Sequence, residues 1–179
     1  MLKIKLFFLL YFFASAIFPQ QSKLSIENDS YIYSNWETHF SYNLISGIND
    51  DNESKIYFAS YNSIFSYDIV SFQIEKFDTL NGLSGDQISA FYHSEANNII
   101  AIGYSNGFLQ IIDLSSDTII NIYDILNKPS IPSNSKMINH FSQRGNELII
   151  STGYGISIYN LNGFEFGDTY YVGNFASLL

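Results

Sequence analysis

The chain has 179 residues, 46% of them hydrophobic, and carries a formal net charge of −9. This negative charge argues against binding to DNA or RNA, because a basic patch supplies most of a protein's affinity for a phosphate backbone. The sequence contains no cysteine, so it has neither a disulfide framework nor a thiol for lipid attachment, and packing alone must hold the fold.

Residues 1–20 are typical of a secretory signal peptide. The pattern has three successive parts: the basic Lys3 and Lys5, the unbroken apolar run 6–13, and the small residues 14–16. The apolar run extends over 6–18 and counts 13 positions, fewer than the roughly 20 needed to span a bilayer. We therefore expect an exported protein with a short lead segment over 21–35.

From Trp36 onward, the apolar residues fall in short runs separated by Asn, Gly, Ser and Asp. This pattern predicts β-strands joined by turns. Laid under one another, the runs form three units of four strands, at about 36–80, 81–126 and 127–173. Repeats of about 40 to 50 residues with four strands each are typical of β-propeller blades.

The predicted strands follow the same order in every unit. They are 39–47, 54–62, 63–71 and 72–80 in the first unit, 86–94, 97–105, 107–115 and 118–126 in the second, and 136–144, 146–154, 155–163 and 166–173 in the third. Ser63, Gly107 and Gly155 occupy equivalent turns, at spacings of 107 − 63 = 44 and 155 − 107 = 48. The second strands are apolar on both faces, as expected where sheets stack on both sides.

The sequence therefore predicts an all-β fold, a partial β-propeller of about three four-stranded antiparallel blades. Propellers close with roughly four to eight blades, and residues 36–179 end where a fourth blade would begin. We expect an N-terminal piece of a larger ring. An oligomer that completes the ring and an open β-domain are the alternatives.

Residues that suggest chemistry are few. The Ser105-Asn106-Gly107 turn opens no helix, so it predicts a hairpin rather than a phosphate loop. The three histidines, His39, His93 and His140, lie on or at the end of first strands but lack metal-ligand spacing, which favours structural roles over a ring of imidazoles. The acidic stretch 49–54 lacks the calcium-loop pattern and predicts a solvated turn.

Catalytic arrangements are no clearer. Four aspartates are scattered at strand ends: Asp113, Asp117, Asp124 and Asp168. The sequence has no nucleophile elbow around a serine. Some of four tyrosines could face a carbohydrate or a partner: Tyr42, Tyr61, Tyr104 and Tyr154. We predict no catalytic, cofactor-binding or metal-binding residues and no cofactor, and the ligand-binding residues remain unknown.

Several stretches together resemble a known family. They are WETHFSYNLISGI, KIYFASYNSIFSYDI, TLNGLSGDQISAFYH, IIAIGYSNGFLQIID, GYGISIYNL and DTYYVG. From Trp36 to the end, the chain resembles the N-terminal β-propeller of the PorZ family, a cell-surface component of the type IX secretion system of Bacteroidetes. The GLS connector and the turn before GF are shared with the wider class of two-component regulator propeller repeats.

The resemblance implies a scaffold or binding module rather than an enzyme, at the cell surface or outer membrane. It implies protein partners, among them a sortase and outer-membrane components, in a complex that attaches cargo to anionic lipopolysaccharide through regions outside this chain. It places no ligand residue here. Two alternatives stay open: a periplasmic ligand-sensing propeller of a hybrid two-component regulator, and a secreted propeller enzyme acting on glycans.

Overall fold

The computed structural model describes residues 44–173. These residues form three four-stranded antiparallel sheets, and in each the strands lie side by side in chain order. The predicted all-β fold of three propeller-like blades is confirmed. The predicted signal peptide (1–20) and lead segment (21–35) lie outside the described residues.

The strands of each sheet come from one continuous stretch of chain. The first sheet contains β1 (Gly47–Asp50), β2 (Lys55–Ala59), β3 (Ile64–Asp68) and β4 (Ile74–Phe77). The second contains β5 (Ile88–Ser94), β6 (Ile99–Tyr104), β7 (Leu109–Asp113) and β8 (Thr118–Ile122). The third contains β9 (Ile138–Arg144), β10 (Glu147–Thr152), β11 (Gly155–Asn160) and β12 (Glu165–Tyr171).

Several predicted strands have bounds that differ from the observed ones. Of the first predicted strand, 39–47, residues 39–43 lie outside the described residues, and the described strand β1 covers Gly47–Asp50, where Gly47 pairs with Ala59 and Asp50 with Ile56. The strand predicted at 118–126 ends at Ile122, which lies opposite the first residue of β7. Beyond that point no partner strand remains, and the chain forms a short helix, α1 (Asp124–Asn127).

The first strands of successive sheets lie next to one another. The Ser89 hydroxyl of β5 donates to the Ile138 carbonyl of β9 at 2.6 Å. On the other side, the backbone N–H of His93 in β5 donates to the side-chain oxygen of Asn49 in β1 at 3.1 Å. The three sheets therefore converge at their first strands, as the blades of a propeller do.

The second sheet is covered on both faces. All six residues of β6 are buried. Ile99 and Ala101 belong to the core shared with the third sheet, whereas Ile100 and Ile102 belong to the core shared with the first sheet. The prediction that second strands pack on both faces is therefore confirmed for β6, between two sheets. The second strands of the other two sheets, β2 and β10, alternate between buried and partly buried residues.

The hairpin between the third and fourth strands is closed in the same way in all three sheets. One side-chain oxygen accepts hydrogen bonds from two backbone N–H groups of the turn: Asp68 from Val70 and Ser71, Asp113 from Ser115 and Ser116, and Asn160 from Asn162 and Gly163. Each turn ends in a residue with left-handed backbone: Phe72, Asp117 and Phe164. Asp and Asn favour such turns because their side chains replace a backbone acceptor.

A buried glutamine ties the connector between the first two sheets to the second sheet. The Gln110 side chain accepts from the backbone N–H of Ser84 at 3.1 Å and donates to the Gly82 carbonyl at 3.1 Å. It also donates to the Asn121 side chain at 2.7 Å and accepts from the Tyr104 hydroxyl. Gly82 in this connector has a φ of 101°, a backbone conformation that glycine adopts at little cost.

Candidate functional site

The tight turn at Ser105-Asn106-Gly107 closes the hairpin between β6 and β7, as predicted. The Gly107 N–H donates to the Tyr104 carbonyl at 3.1 Å, and the Tyr104 N–H donates to the Phe108 carbonyl at 3.0 Å. The Asn106 side chain accepts from the Phe108 N–H at 2.9 Å. These three donors have protein acceptors, so they do not converge on a phosphate.

The predicted equivalence of Ser63, Gly107 and Gly155 is wrong by one position at Gly107. The strand registers leave loops of 60–63, 104–108 and 152–155 between the last paired residues. The middle loop has one residue more, so Phe108 is the equivalent of Ser63. The extra residue is accommodated by Gly107, whose φ is 91°, a backbone conformation that glycine adopts at little cost.

The two described histidines, His93 and His140, do not occupy equivalent positions in their sheets. His93 is buried, its ring stacks on Tyr57 at 4.7 Å between centroids, and its Nδ1 lies 3.0 Å from the Asp50 carbonyl oxygen. His140 is exposed and lies opposite Ser151, whereas His93 lies opposite Ile100, which is not an equivalent position. His93 is therefore a hydrogen-bonded structural histidine, as predicted. His39 lies outside the described residues.

The acidic stretch 49–54 is partly strand and partly turn. Asn49 and Asp50 belong to β1, contrary to the prediction of a turn throughout. Burial alone would raise the pKa of Asp51, but backbone N–H groups of Glu53 and Lys55 donate to its carboxylate at 2.9 Å each and lower the pKa overall. The Asp51 carboxylate therefore builds the turn that joins β1 to β2.

The predicted ligand-facing tyrosines divide into two groups. Tyr104 and Tyr154 are buried, and their hydroxyls bond to side chains of their own sheets, Gln110 and Ser157. Burial raises the pKa of Tyr104 to about 12. These two tyrosines are core residues, which corrects the expectation that they could face a ligand. Tyr61 is exposed, and Tyr42 lies outside the described residues.

The four aspartates have separate structural roles. Asp113 closes the hairpin in which Asp117 has left-handed backbone, Asp124 begins α1, and Asp168 accepts from the Tyr170 hydroxyl at 3.3 Å. Within residues 44–173, no three side chains of His, Cys, Asp or Glu lie close enough to hold a metal ion.

A cleft of about 530 Å³ opens between the first and second sheets. Its wall includes Tyr57, whose side chain is buried and whose pKa is raised by that burial. At its mouth, the Lys55 ammonium pairs with the Glu75 carboxylate at 3.0 Å. Its volume falls in the range of small-molecule sites, and sequence reasoning missed it because residues from both sheets line it.

The first and third sheets each have one face that points away from the second sheet. On the first sheet, this face carries the stacked rings of Phe58 and Phe65, 4.8 Å apart. On the third sheet, it carries Ile156 and Tyr170 above the ion pair of Arg144 with Glu147. By register, Phe58 is the equivalent of the buried Ile102. These outer faces are thus equivalents of faces that pack between sheets elsewhere in the chain.

The family model of the PorZ N-terminal β-propeller domain of the type IX secretion system matches residues 56–177. The chain belongs to this family. Solved PorZ, a surface component of that system in Porphyromonas gingivalis, has 21% identity and a TM-score of 0.58 with this chain. The match covers 66% of this chain and 16% of the PorZ chain, so our PorZ-family chain spans a small part of that protein.

Other propellers share the fold of this PorZ-family chain. The extracellular domain of a putative hybrid two-component system from B. thetaiotaomicron has 22% identity and a TM-score of 0.61, covering 79% of this chain and 19% of its own. The WD40 repeats of RRP9 have 12% identity and a TM-score of 0.59, and the match covers 75% of this chain and 41% of the RRP9 chain. No curated protein sequence matches significantly. Among the described residues, no helix has the length and hydropathy of a membrane span.

Proposed function

We propose that this chain is a non-catalytic binding and scaffold module of the bacterial surface that acts in type IX protein secretion. The family match over residues 56–177 carries this proposal, because the PorZ of Porphyromonas gingivalis is described as an essential surface component of that system. A predicted signal peptide at 1–20 is consistent with a protein exported to that location.

The chemistry of the described residues supports binding rather than catalysis. Two carboxylates that line the cleft between the first and second sheets are engaged in structure: Asp51 closes a turn, and Glu75 pairs with Lys55. The buried tyrosine hydroxyls bond within their own sheets. A catalytic acid or base would need a side chain that is free to reach a substrate.

The proposed partners are proteins, among them a sortase and outer-membrane components of the secretion complex. The proposed outcome of their joint action is the attachment of cargo to anionic lipopolysaccharide. The net charge of −9 makes these blades unsuited to bind the anionic glycan themselves. Within the larger complex, we assign them to protein contacts.

The fold of the two-component extracellular domain supports a second candidate, a ligand-sensing propeller. The match to that domain covers 79% of this chain, against 66% for PorZ. The cleft of about 530 Å³ between the first and second sheets would be the first place to look for a small ligand.

Deleting the gene in the source bacterium separates the two candidates. If the chain acts in secretion, proteomics of cell, surface and medium fractions will show secreted cargo retained inside the cell, and re-expression of the full protein will restore export. Unchanged export together with the loss of a transcriptional response to a glycan would contradict the secretion role and support the sensor.

A further inference from the structure

The turn between β3 and β4 presents an apolar tip, which we define as Ile69, Val70, Phe72 and Ile74. Val70 and Phe72 are 73% and 72% exposed, and Ile69 and Ile74 are also exposed. Single exposed apolar residues are ordinary on protein surfaces, but a contiguous group of this kind marks an interaction site.

The fold does not require apolar side chains at this turn. The equivalent turn of the second sheet, closed by Asp113, has the polar residues Ser115 and Asp117 at the positions of Val70 and Phe72. Phe72 also has a φ of 59°, in the left-handed region that disfavours bulky side chains. The equivalent turn of the third sheet also ends in an exposed aromatic residue with left-handed backbone, Phe164, but it has the polar Asn162 at the position of Val70. Val70 and Phe72 together therefore distinguish the turn of the first sheet.

Acidic side chains surround the apolar tip. The neighbouring turn between β1 and β2 is bonded to it, since the Ile69 N–H donates to the Ser54 carbonyl at 2.9 Å and the Ser54 hydroxyl donates to Asp68 at 3.2 Å. The two turns and their flanks carry five carboxylates: Asp50, Asp51, Glu53, Asp68 and Glu75. The Lys55 ammonium is paired with Glu75, and Lys76 is the other basic residue of the first sheet, so five carboxylates face two basic residues and the surroundings of the tip are acidic.

We propose that the apolar tip is the contact through which this chain binds a protein partner that presents an apolar pocket with a basic rim. The proposal rests on the scaffold function above and names the surface that serves it. Protein interfaces combine an apolar centre with a polar rim, and aromatic residues that become buried on binding, the role proposed for Phe72, supply much of their affinity. The acidic surroundings disfavour an anionic lipid surface as the occupant.

Photo-crosslinking in living cells identifies what the tip touches. Benzoylphenylalanine replaces Phe72 in the full protein, and the same replacement at Phe164 is the control, because Phe164 is another exposed aromatic residue in left-handed backbone. We expect an adduct with one surface protein from position 72 and none with that protein from position 164. Adducts with lipid, adducts within the same polypeptide, or no adduct at position 72 would each overturn the proposal.

Binding of the purified partner then tests the side chains. The double variant V70S/F72D copies the turn of the second sheet and should fold, which thermal unfolding checks. It should weaken binding roughly 30-fold or more, the loss typical of a hot-spot residue, whereas F164D leaves binding unchanged. Wild-type affinity should fall as salt rises, because acidic and basic rims are in contact. Equal affinities of wild type and V70S/F72D would overturn the proposal.

The two proposals fail separately. If gene deletion blocks export but V70S/F72D restores it fully, the secretion role stands and the apolar tip is not the contact. If gene deletion leaves export unchanged, the secretion role falls, and the crosslink from position 72 still decides whether the tip binds a protein.

Discussion

Replacing Gly103 in β6 by alanine tests how closely the second and third sheets pack. An added Cβ would lie 2.5 Å from Cγ2 and 2.7 Å from Cβ of Ile138, and 3.0 Å from the Phe141 ring. Favourable carbon contacts are about 3.5 to 4.0 Å. The Cβ of Ile138 is fixed to the backbone of β9, so it cannot rotate away, and the first strand of the third sheet must shift.

The expected cost is about 3 kcal/mol, the upper part of the range for overpacking a core. Replacing a strand glycine returns about 0.5 to 1 kcal/mol of backbone entropy, so G103A should lower the free energy of unfolding by about 2 kcal/mol. For a domain of this size that corresponds to roughly 8 °C in melting temperature. Thermal and urea unfolding of the purified chain, followed by circular dichroism, measure both quantities.

Gly167 in β12 supplies the matched control. An alanine Cβ there would meet nothing closer than 3.8 Å, so G167A should leave the stability unchanged or raise it by up to about 1 kcal/mol. If G103A unfolds at the same temperature as wild type and G167A, the contact between β6 and β9 is looser than described, and the reasoning is refuted.

Three further outcomes follow from the hydrogen bonds. The Ser116 hydroxyl, and after it the backbone N–H of Ser115, lower the pKa of Asp113 in the folded protein. The ionised Asp113 therefore stabilises the fold above its unfolded pKa of about 3.9, and this stabilisation is lost as pH falls through the folded pKa. The variant D113N, which copies Asn160, should show a smaller fall in melting temperature than wild type between about pH 5 and 2. The variant Q110L leaves several buried polar groups without their hydrogen-bond partner, so it should lower the free energy of unfolding in urea by about 2 to 4 kcal/mol. A loss below about 1 kcal/mol would contradict the hydrogen-bond network of Gln110. K136M removes the ammonium that donates to the Leu126 carbonyl at 2.6 Å and should cost about 1 to 2 kcal/mol by the same measurement.

The strand-and-turn pattern was sufficient to predict the blades, because each sheet is a meander whose strands follow one another in the chain. The pattern failed to predict the bounds of strands that are set by pairing with a neighbouring strand rather than by composition. Of the predicted strand 39–47, only Gly47 belongs to β1, whose pairing with β2 continues to Asp50 within the described residues. Likewise, apolar residues continue beyond Ile122, but β7 offers no partner there.

Side-chain placement was harder to predict than strand order. Tyr104 stands beside a tight turn and was a candidate for ligand contact, but its hydroxyl turns inward to Gln110. The pattern of apolar residues in the sequence does not indicate whether the Tyr104 side chain points into the core or out to solvent. The residues of the apolar tip were assigned to two consecutive strands, 63–71 and 72–80, because Phe72 is not a residue expected at a left-handed position.

One signal in the sequence was present and missed. The residues that close the hairpin between third and fourth strands recur at spacings of 113 − 68 = 45 and 160 − 113 = 47. Each is followed three positions later by Ser or Gly: Ser71, Ser116 and Gly163. This spacing would have placed all three turns, and with them the apolar tip.

The continuous origin of each sheet has a consequence for how the chain folds. Every strand pair joins neighbours in the chain, so a blade can form without waiting for distant segments to meet, and little loop-closure entropy opposes it. The hairpins closed by Asp68, Asp113 and Asn160 need only local contacts. A chain built this way can fold blade by blade in the order in which its residues emerge, with each finished sheet offering a surface on which the next one condenses.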